Sequence, residues 1–112
     1  MARLIVVVGD VDQHGAALPL RYAATAAALD AEVELHCVGA SVEWLRAGAA
    51  GDALLVQLRD AIEAGAQVYA CPQALITHGV APDTLAPEVT GIRGAAALLA
   101  AGFAPDARFM NF

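Results

Sequence analysis

Lysine is missing from this 112-residue sequence: all six basic side chains are arginine, they face twelve Asp and Glu, and the formal charge is −6. That balance argues against direct binding of nucleic acid, whose affinity rests largely on phosphate neutralisation by Lys and Arg. It argues equally against docking on an anionic membrane surface. Charge of either sign is scarce, at 16% of residues against a usual ~25%. Long apolar runs are also lacking. Leu4 to Val8 meets Gly9-Asp10 after five residues, shorter than a signal-peptide core of ~7–15. Gly94 to Pro105 falls short of the ~20 residues of a spanning helix. Cysteine is limited to Cys37 and Cys71, with no Cys-x-x-Cys, so free thiols in a reducing cytoplasm are expected and nothing recommends a disulfide. No Cys/His spacing resembles a zinc site. No glycine-rich phosphate loop is present, Gly91-x-x-Gly94 being too short and the Gly9 turn lacking a dinucleotide pattern. Neither a metal nor a cofactor is therefore expected.

What the chain has instead is apolar bulk, 59% of residues, much of it alanine. The length suits one domain over residues 1–112. It allows roughly two thirds of the unfolded surface to be buried, a real core without disulfides. Alanine fills tight packing and leaves smooth, weakly polar exteriors, which points to self-association.

Short β-branched runs alternate with longer alanine-leucine stretches. Leu4 to Val8 is continuously apolar, as a central parallel strand covered on both faces would be. A loop through Asp10, Asp12, Gln13, His14 and Gly15 follows. The spacing of Leu18, Tyr22, Thr25 and Leu29 predicts a helix from about Leu18 to Leu29 with those residues as its stripe. Glu32 to Val38 alternates, with Val33, Leu35 and Cys37 on one face and Glu34, His36 and Val38 on the other. That pattern predicts a strand nearer an edge, or one with a face in a subunit contact. A short helical turn is expected around Val42 to Arg46, where Trp44 and Leu45 serve either the core or a subunit contact. Asp52 is a good N-cap for a helix from Ala53 to Ala64, with Leu54, Leu58 and Ile62 as its stripe and Gly65 as its stop. Gln67 to Ala70 reads as a third strand ending at Cys71-Pro72, and Pro72 suits the first turn of a helix reaching His78 and closing on Gly79. A loop with Pro82, Asp83 and Pro87 leads to a fourth strand near Glu88 to Ile92. Gly94 to Ala101 reads as a helix stopped by Gly102, and Ala107 to Phe112 as a last strand. Strands and helices alternating in this way predict a parallel-type sheet with helices on both faces.

Sites in open sheets of this kind form beyond the carboxyl ends of the strands. That rule selects Asp10, Asp12 and His14, then Ser41 and Glu43, then Cys71, then Arg93. Cys71 is the sharpest candidate: it stands where a strand ends and a helix begins, and a helix N-terminus favours thiolate over thiol. The alternative is a small buried residue closing the strand, since free Cys is among the most buried types. Cys37, inside a strand on its apolar face, is read as core. Asp10 and Asp12 are read as turn formers and solvated groups. His14 is retained as a proton donor or polar wall near the thiol. Arg93 is read either as a surface residue or as a cation holding an anionic group beside the thiolate. His36 and His78 are read as structural, His78 through the last carbonyls of its helix.

The run Leu58 to Gly79 carries a family likeness: an amphipathic helix, then Ala64-Gly65-Ala66-Gln67-Val68-Tyr69-Ala70-Cys71, then a short helix ending His78-Gly79-Val80. With the closing Asp106-Ala107-Arg108-Phe109-Met110-Asn111-Phe112, it resembles the DsrE/DsrF/TusD family of small sulfur-metabolism proteins. The likeness spans nearly the whole chain, and the cysteine segment is its most specific part. The loop Asp10 to His14 matches no family motif. The resemblance implies an α/β fold, a three-layer α/β/α sandwich with a five-stranded, mainly parallel sheet, often assembled as trimers or hexamers. It also implies a cysteine that carries sulfane sulfur as a persulfide between sulfur donor and acceptor proteins, in tRNA thiolation or sulfur oxidation. Carried over by position, only Cys71 takes that role.

Two functional expectations follow. The first is a sulfur carrier or sulfurtransferase subunit with Cys71 as nucleophile, backbone amides stabilising its anion and His14 or Arg93 assisting, without a cofactor. The second is a non-catalytic oligomeric binding or regulatory module in which Cys71 is structural. A thiol-redox role is a third reading, which requires Cys37 and Cys71 within about 7 Å between Cα atoms.

Overall fold

The first strand, β1 (Arg3–Val8), runs along the inside of the sheet as its continuous apolar character requires. The computed structural model describes residues 2–112. After β1 come α1 (Ala17–Ala28), β2 (Glu32–Cys37), a 3-10 turn at Ala40–Leu45, α2 (Asp52–Ala64), β3 (Gln67–Ala70) and α3 (Pro72–Thr77). A second 3-10 turn at Pro82–Thr84 leads to β4 (Gly91–Ile92), α4 (Ala95–Gly102) and β5 (Ala107–Asn111). The five strands form one sheet in the order β4-β3-β2-β1-β5, and every pairing is parallel. The fold is thus the expected α/β architecture, its sheet wholly rather than mainly parallel.

Chain direction decides which face each helix covers. From β1 to β4 the strands advance one way across the sheet, so right-handed crossovers lay their helices on one face. There α1 and α2 pack side by side over Val6, Val8, Val33, Leu35, Cys37, Val68 and Ala70, the main core. The step from β4 back to β5 passes under the sheet and carries α4 to the other face. Phe109, in register with Ile5, fixes that placement, because a side chain at Gly102 of α4 would overlap its ring.

Several expectations shift against this frame. In α1 the buried residues are Pro19, Leu20, Ala23 and Ala27, not the stripe of Leu18, Tyr22, Thr25 and Leu29. Leu29 is 78% exposed. Two helices lying close together over a sheet leave little room between them, so Ala23 and Ala27 join Pro19 and Leu20 on the inner face while Leu18, Tyr22 and Leu29 point outward. β2 is the middle strand of the sheet, not one near an edge. The fourth strand is only two residues long because Thr90 enters the ladder with its side chain: the Val68 N–H donates to Thr90 Oγ1 at 2.9 Å. The helix expected to begin at Ala53 starts at Asp52, with Gly51 as N-cap. Asp52 instead lies in the first turn, where a carboxylate favours the positive end of the helix. Gly51 is held from outside, its N–H donating to Gln13 Oε1 at 2.7 Å. Gly102 falls inside α4, and Phe103 is its C-cap. Gly65 does stop α2, at a φ of 120° that only glycine adopts without strain. Trp44 and Leu45 are buried in the core.

Candidate functional site

The carboxyl ends of β1 and β2 are stitched together by polar contacts. Asp10 Oδ1 accepts the Ala40 N–H at 2.8 Å, and Asp12 Oδ1 accepts the Gly15 N–H at 2.7 Å. Ser41 Oγ donates to Val8 O at 2.9 Å, and Trp44 Nε1 donates to Val11 O at 3.0 Å. Gly39 lies so close to the Gly9-Asp10 backbone that a Cβ there would collide with it. Asp12 therefore acts as a turn former, as the composition of the loop suggested, whereas Asp10 ties its loop to the turn after β2. A cavity of about 520 Å³ opens between these loops, lined by Asp10, Asp12, Glu43, Trp44 and Arg46 among others. Among the described residues no group of three or more His, Cys, Asp or Glu is arranged to hold a metal.

His14 is exposed on this same loop. It follows β1, and Cys71 follows β3, with the whole of β2 between the two strands. The sheet order does not make them neighbours.

Cys71 is the N-cap residue of α3, with φ −75° and ψ 126°. Its N–H donates to Cys37 O at 3.0 Å, and its own carbonyl accepts the Leu75 N–H at 3.0 Å. The strand-to-helix junction expected from Cys71-Pro72 is therefore present, with Pro72 at the first helical position. The helix is only six residues long, too short to gather the full partial charge of a long helix. Local amides, rather than a macrodipole, are what it offers a sulfur anion. The side chain is partly exposed and touches the edge of the main core. His78 is the C-cap of α3, its N–H bonded to Ala74 O, and Gly79 turns the chain away at φ 64°.

Cys37 contrasts with it. The side chain is fully buried, and loss of hydration pushes its thiol up to about 12, with the Ser41 hydroxyl opposing weakly. It stays a protonated core residue at neutral pH, the role read from its strand position.

On the opposite face of the sheet lies a polar cluster that the sequence did not bring together. His36 and Tyr69 are in register on β2 and β3, and their rings lie 5.2 Å apart. His36 Nε2 lies 3.0 Å from Glu34 Oε1. The Arg93 Cζ stands 4.2 Å from the Tyr69 ring centroid, with Nη1 3.6 Å from Glu34 Oε1. Tyr69 Oη donates to Gln67 Oε1 at 2.9 Å. His36 is only 1% exposed, and its Nδ1 is buried without a hydrogen-bond partner. Burial lowers its pKa below the ordinary 6.5, partly offset by Glu34. The neutral ring must then carry its proton on Nε2 to serve the carboxylate. The alternating residues Glu34 and His36 are the available signal, but alternation alone fits an edge strand or a face in a subunit contact. Their burial comes from strands on both sides.

Comparison with known proteins follows the same lines. A family model described as DsrE/DsrF-like matches residues 1–106. Among curated proteins none matches. The ychN protein from E. coli has a similar structure, with a TM-score of 0.81, 17% identity and complete coverage of both chains. MTH1491, a protein of unknown function from Methanobacterium thermoautotrophicum, is similar at a TM-score of 0.79 and 15% identity, again with 100% of both chains covered. BT1422 from Bacteroides thetaiotaomicron is similar at 0.71 and 14% identity, over 97% of this chain and 94% of that one. At such identities these three speak for the fold alone.

Proposed function

The chain belongs to the DsrE/DsrF-like family, and from that premise we propose that it is a sulfur carrier or sulfurtransferase subunit working through Cys71. The observation that carries this reading is the contrast between its two thiols: Cys71 reaches solvent at a strand-to-helix junction, and Cys37 is sealed in the core. In the loading step the Cys71 thiolate attacks the outer sulfur of a donor protein's persulfide. The donor's S–S bond breaks, the donor leaves as a thiolate, and Cys71 carries the sulfur as Cys–S–S⁻. In the second step an acceptor thiolate attacks that terminal sulfur and Cys71 returns as thiolate. Neither step needs an external oxidant, reductant or cofactor.

The partners are thus a donor and an acceptor protein in a thiol-reducing cytoplasm. The charge of −6 places any RNA on the acceptor's side of the transfer. The same reading makes the protomer, one domain over its length, part of a trimer or hexamer. Support comes from α4, which is apolar and has no buried residue, with Leu99 and Phe103 exposed. An apolar surface of this kind marks an interaction site.

The test is intact-mass measurement after incubation with a low-molecular-weight persulfide or a persulfide-loaded donor. The expected product is an adduct of one sulfur atom, removed by reductant and absent from Cys71→Ser. No adduct, or one retained by Cys71→Ser, sinks the proposal and leaves the non-catalytic oligomeric module. For the thiol-redox reading the two backbones are adjacent, the Cys71 N–H donating to Cys37 O at 3.0 Å, but the Cys37 thiol is sealed in the core and protonated.

A further inference from the structure

The outer flank of Cys71 is formed by the weakest part of the sheet. β4 has two residues, pairs only with β3, and stands at the sheet edge. A strand of that length has few ladder hydrogen bonds to hold it, so something else must keep it in place. Arg93, the next residue, supplies this from both ends. Its backbone N–H donates to Ala70 O at 3.1 Å, one residue before Cys71. Its guanidinium lies over the buried Tyr69 ring and faces Glu34, the contacts already described. Arg is suited to this because its planar cation stacks on an aromatic face and pairs with a carboxylate at once. The next residue, Gly94, packs on the Pro72 ring: a Cβ there would lie 3.6 Å from Pro72 Cγ. Pro72 is the residue after Cys71. The chain of contact thus runs from Glu34 and Tyr69 through Arg93 and Gly94 to the turn that presents the thiol.

We propose that Arg93 is a positioning residue for Cys71: clamped on Tyr69 and Glu34, it holds the β4–α4 turn against Pro72 and keeps the flank of the Cys71 turn closed. The proposal rests on the reading of Cys71 as the working thiol. It differs from both sequence readings of Arg93, a surface residue or a guanidinium that itself holds an anion beside the sulfur. In this structure that charge is turned to Glu34 and the Tyr69 ring.

Alkylation of both cysteines by iodoacetamide, followed by intact-mass and peptide measurement at an alkaline pH that ionises accessible thiols, separates these roles. Arg93→Ala is expected to speed labelling of Cys71 by ~2–5-fold, the change a lost cation–π contact produces at a partly exposed site. Cys37 should stay unlabelled. Glu34→Gln should act in the same direction, and Arg93→Lys should return the rate only part of the way to wild type, since an ammonium keeps the charge but not the planar stack. Arg3→Ala, which removes the surface pairing with Glu32 at the opposite ends of β1 and β2, should leave the rate unchanged. Unchanged Cys71 labelling in both Arg93→Ala and Glu34→Gln would overturn the proposal, since a purely electrostatic arginine has no effect once thiolate is fully formed. So would acceleration of Cys37 together with Cys71, which reports loosening of the whole molecule. A wild-type chain that takes no persulfide would remove the sulfur-carrier reading and leave this labelling comparison intact, so the two failures are distinguishable.

Discussion

The two faces of the sheet are built on different principles. Under α1 and α2 the face is dry and close-packed, with Leu35, Val68, Cys37, Leu54 and Leu58 essentially excluded from water. Under α4 it is mixed: Ile5 and His36 are buried, Arg93 and Phe109 are exposed, and α4 itself buries nothing fully. Three crossovers advance in one direction and only one returns, so a single eight-residue helix is left to cover a face that α1 and α2 share on the other side. The first face holds the fold together. The second carries its polar cluster, the clamp beside Cys71 and the uncovered apolar helix.

That contrast can be broken or sharpened by experiment. Labelling under native conditions should give the largest effect: Cys37 should react at least ~10³-fold more slowly than Cys71, because a sealed thiol reacts only through opening of the fold. Comparable rates would mean that the inner face is not sealed. Next in size, Leu58→Ala between α2 and the sheet should cost ~2–5 kcal/mol in denaturant unfolding, the sum of lost transfer energy and a cavity. Phe103→Ser on the open side should change the stability of an isolated protomer by only ~0.5 kcal/mol or less. Its effect should appear instead as dissociation on dilution, measured by sedimentation, if α4 is covered by another copy.

Acid should act through the second face before it reaches the first. His36 has a folded pKa below its unfolded 6.5, so the unfolded chain binds the proton more readily. The stability contribution of the neutral ring is complete above pH 6.5 and is lost as pH falls below it towards the folded value. Protonation would also add a cation beside Arg93. Melting temperature should therefore decline below about pH 6.5, and His36→Gln should flatten that decline before the carboxylates titrate. An unaltered slope in the variant would assign the acid sensitivity elsewhere. The smallest effect expected is the local one, the few-fold labelling change on loss of the Arg93 clamp.

How much of this was legible beforehand differs between elements. β3 was expected at Gln67 to Ala70 and lies there, because β-branched and aromatic residues between Gly65 and Pro72 leave the chain few alternatives. The Cys71-Pro72 junction followed from the same punctuation. In α1 large residues suggested one face and alanines took the other, since the separation of two packed helices is a property of the pair and is absent from either sequence. The alternation of Glu34 and His36 with apolar residues fits a β2 near an edge or with a face in a subunit contact, and the sheet makes it the middle strand. In the molecule they lie between β1 and β3, with a tyrosine ring on one side and an arginine reaching over. His14 and Cys71 follow strands that β2 separates, an order that a list of strand ends does not contain.

The shortage of charge, the missing lysine, the alternation of strand and helix, and a cysteine at a strand-to-helix boundary were all determined by sequence, because each depends on composition or on neighbours along the chain. The tertiary structure decided the rest. Sheet order makes β2 central and β4 the edge, the reversed final crossover leaves α4 uncovered, and parallel register brings Glu34, Tyr69 and Arg93 together beside the Cys71 turn. Those are contacts between residues tens of positions apart, and hydrophobic burial under right-handed crossovers, not local propensity, selects which of them meet.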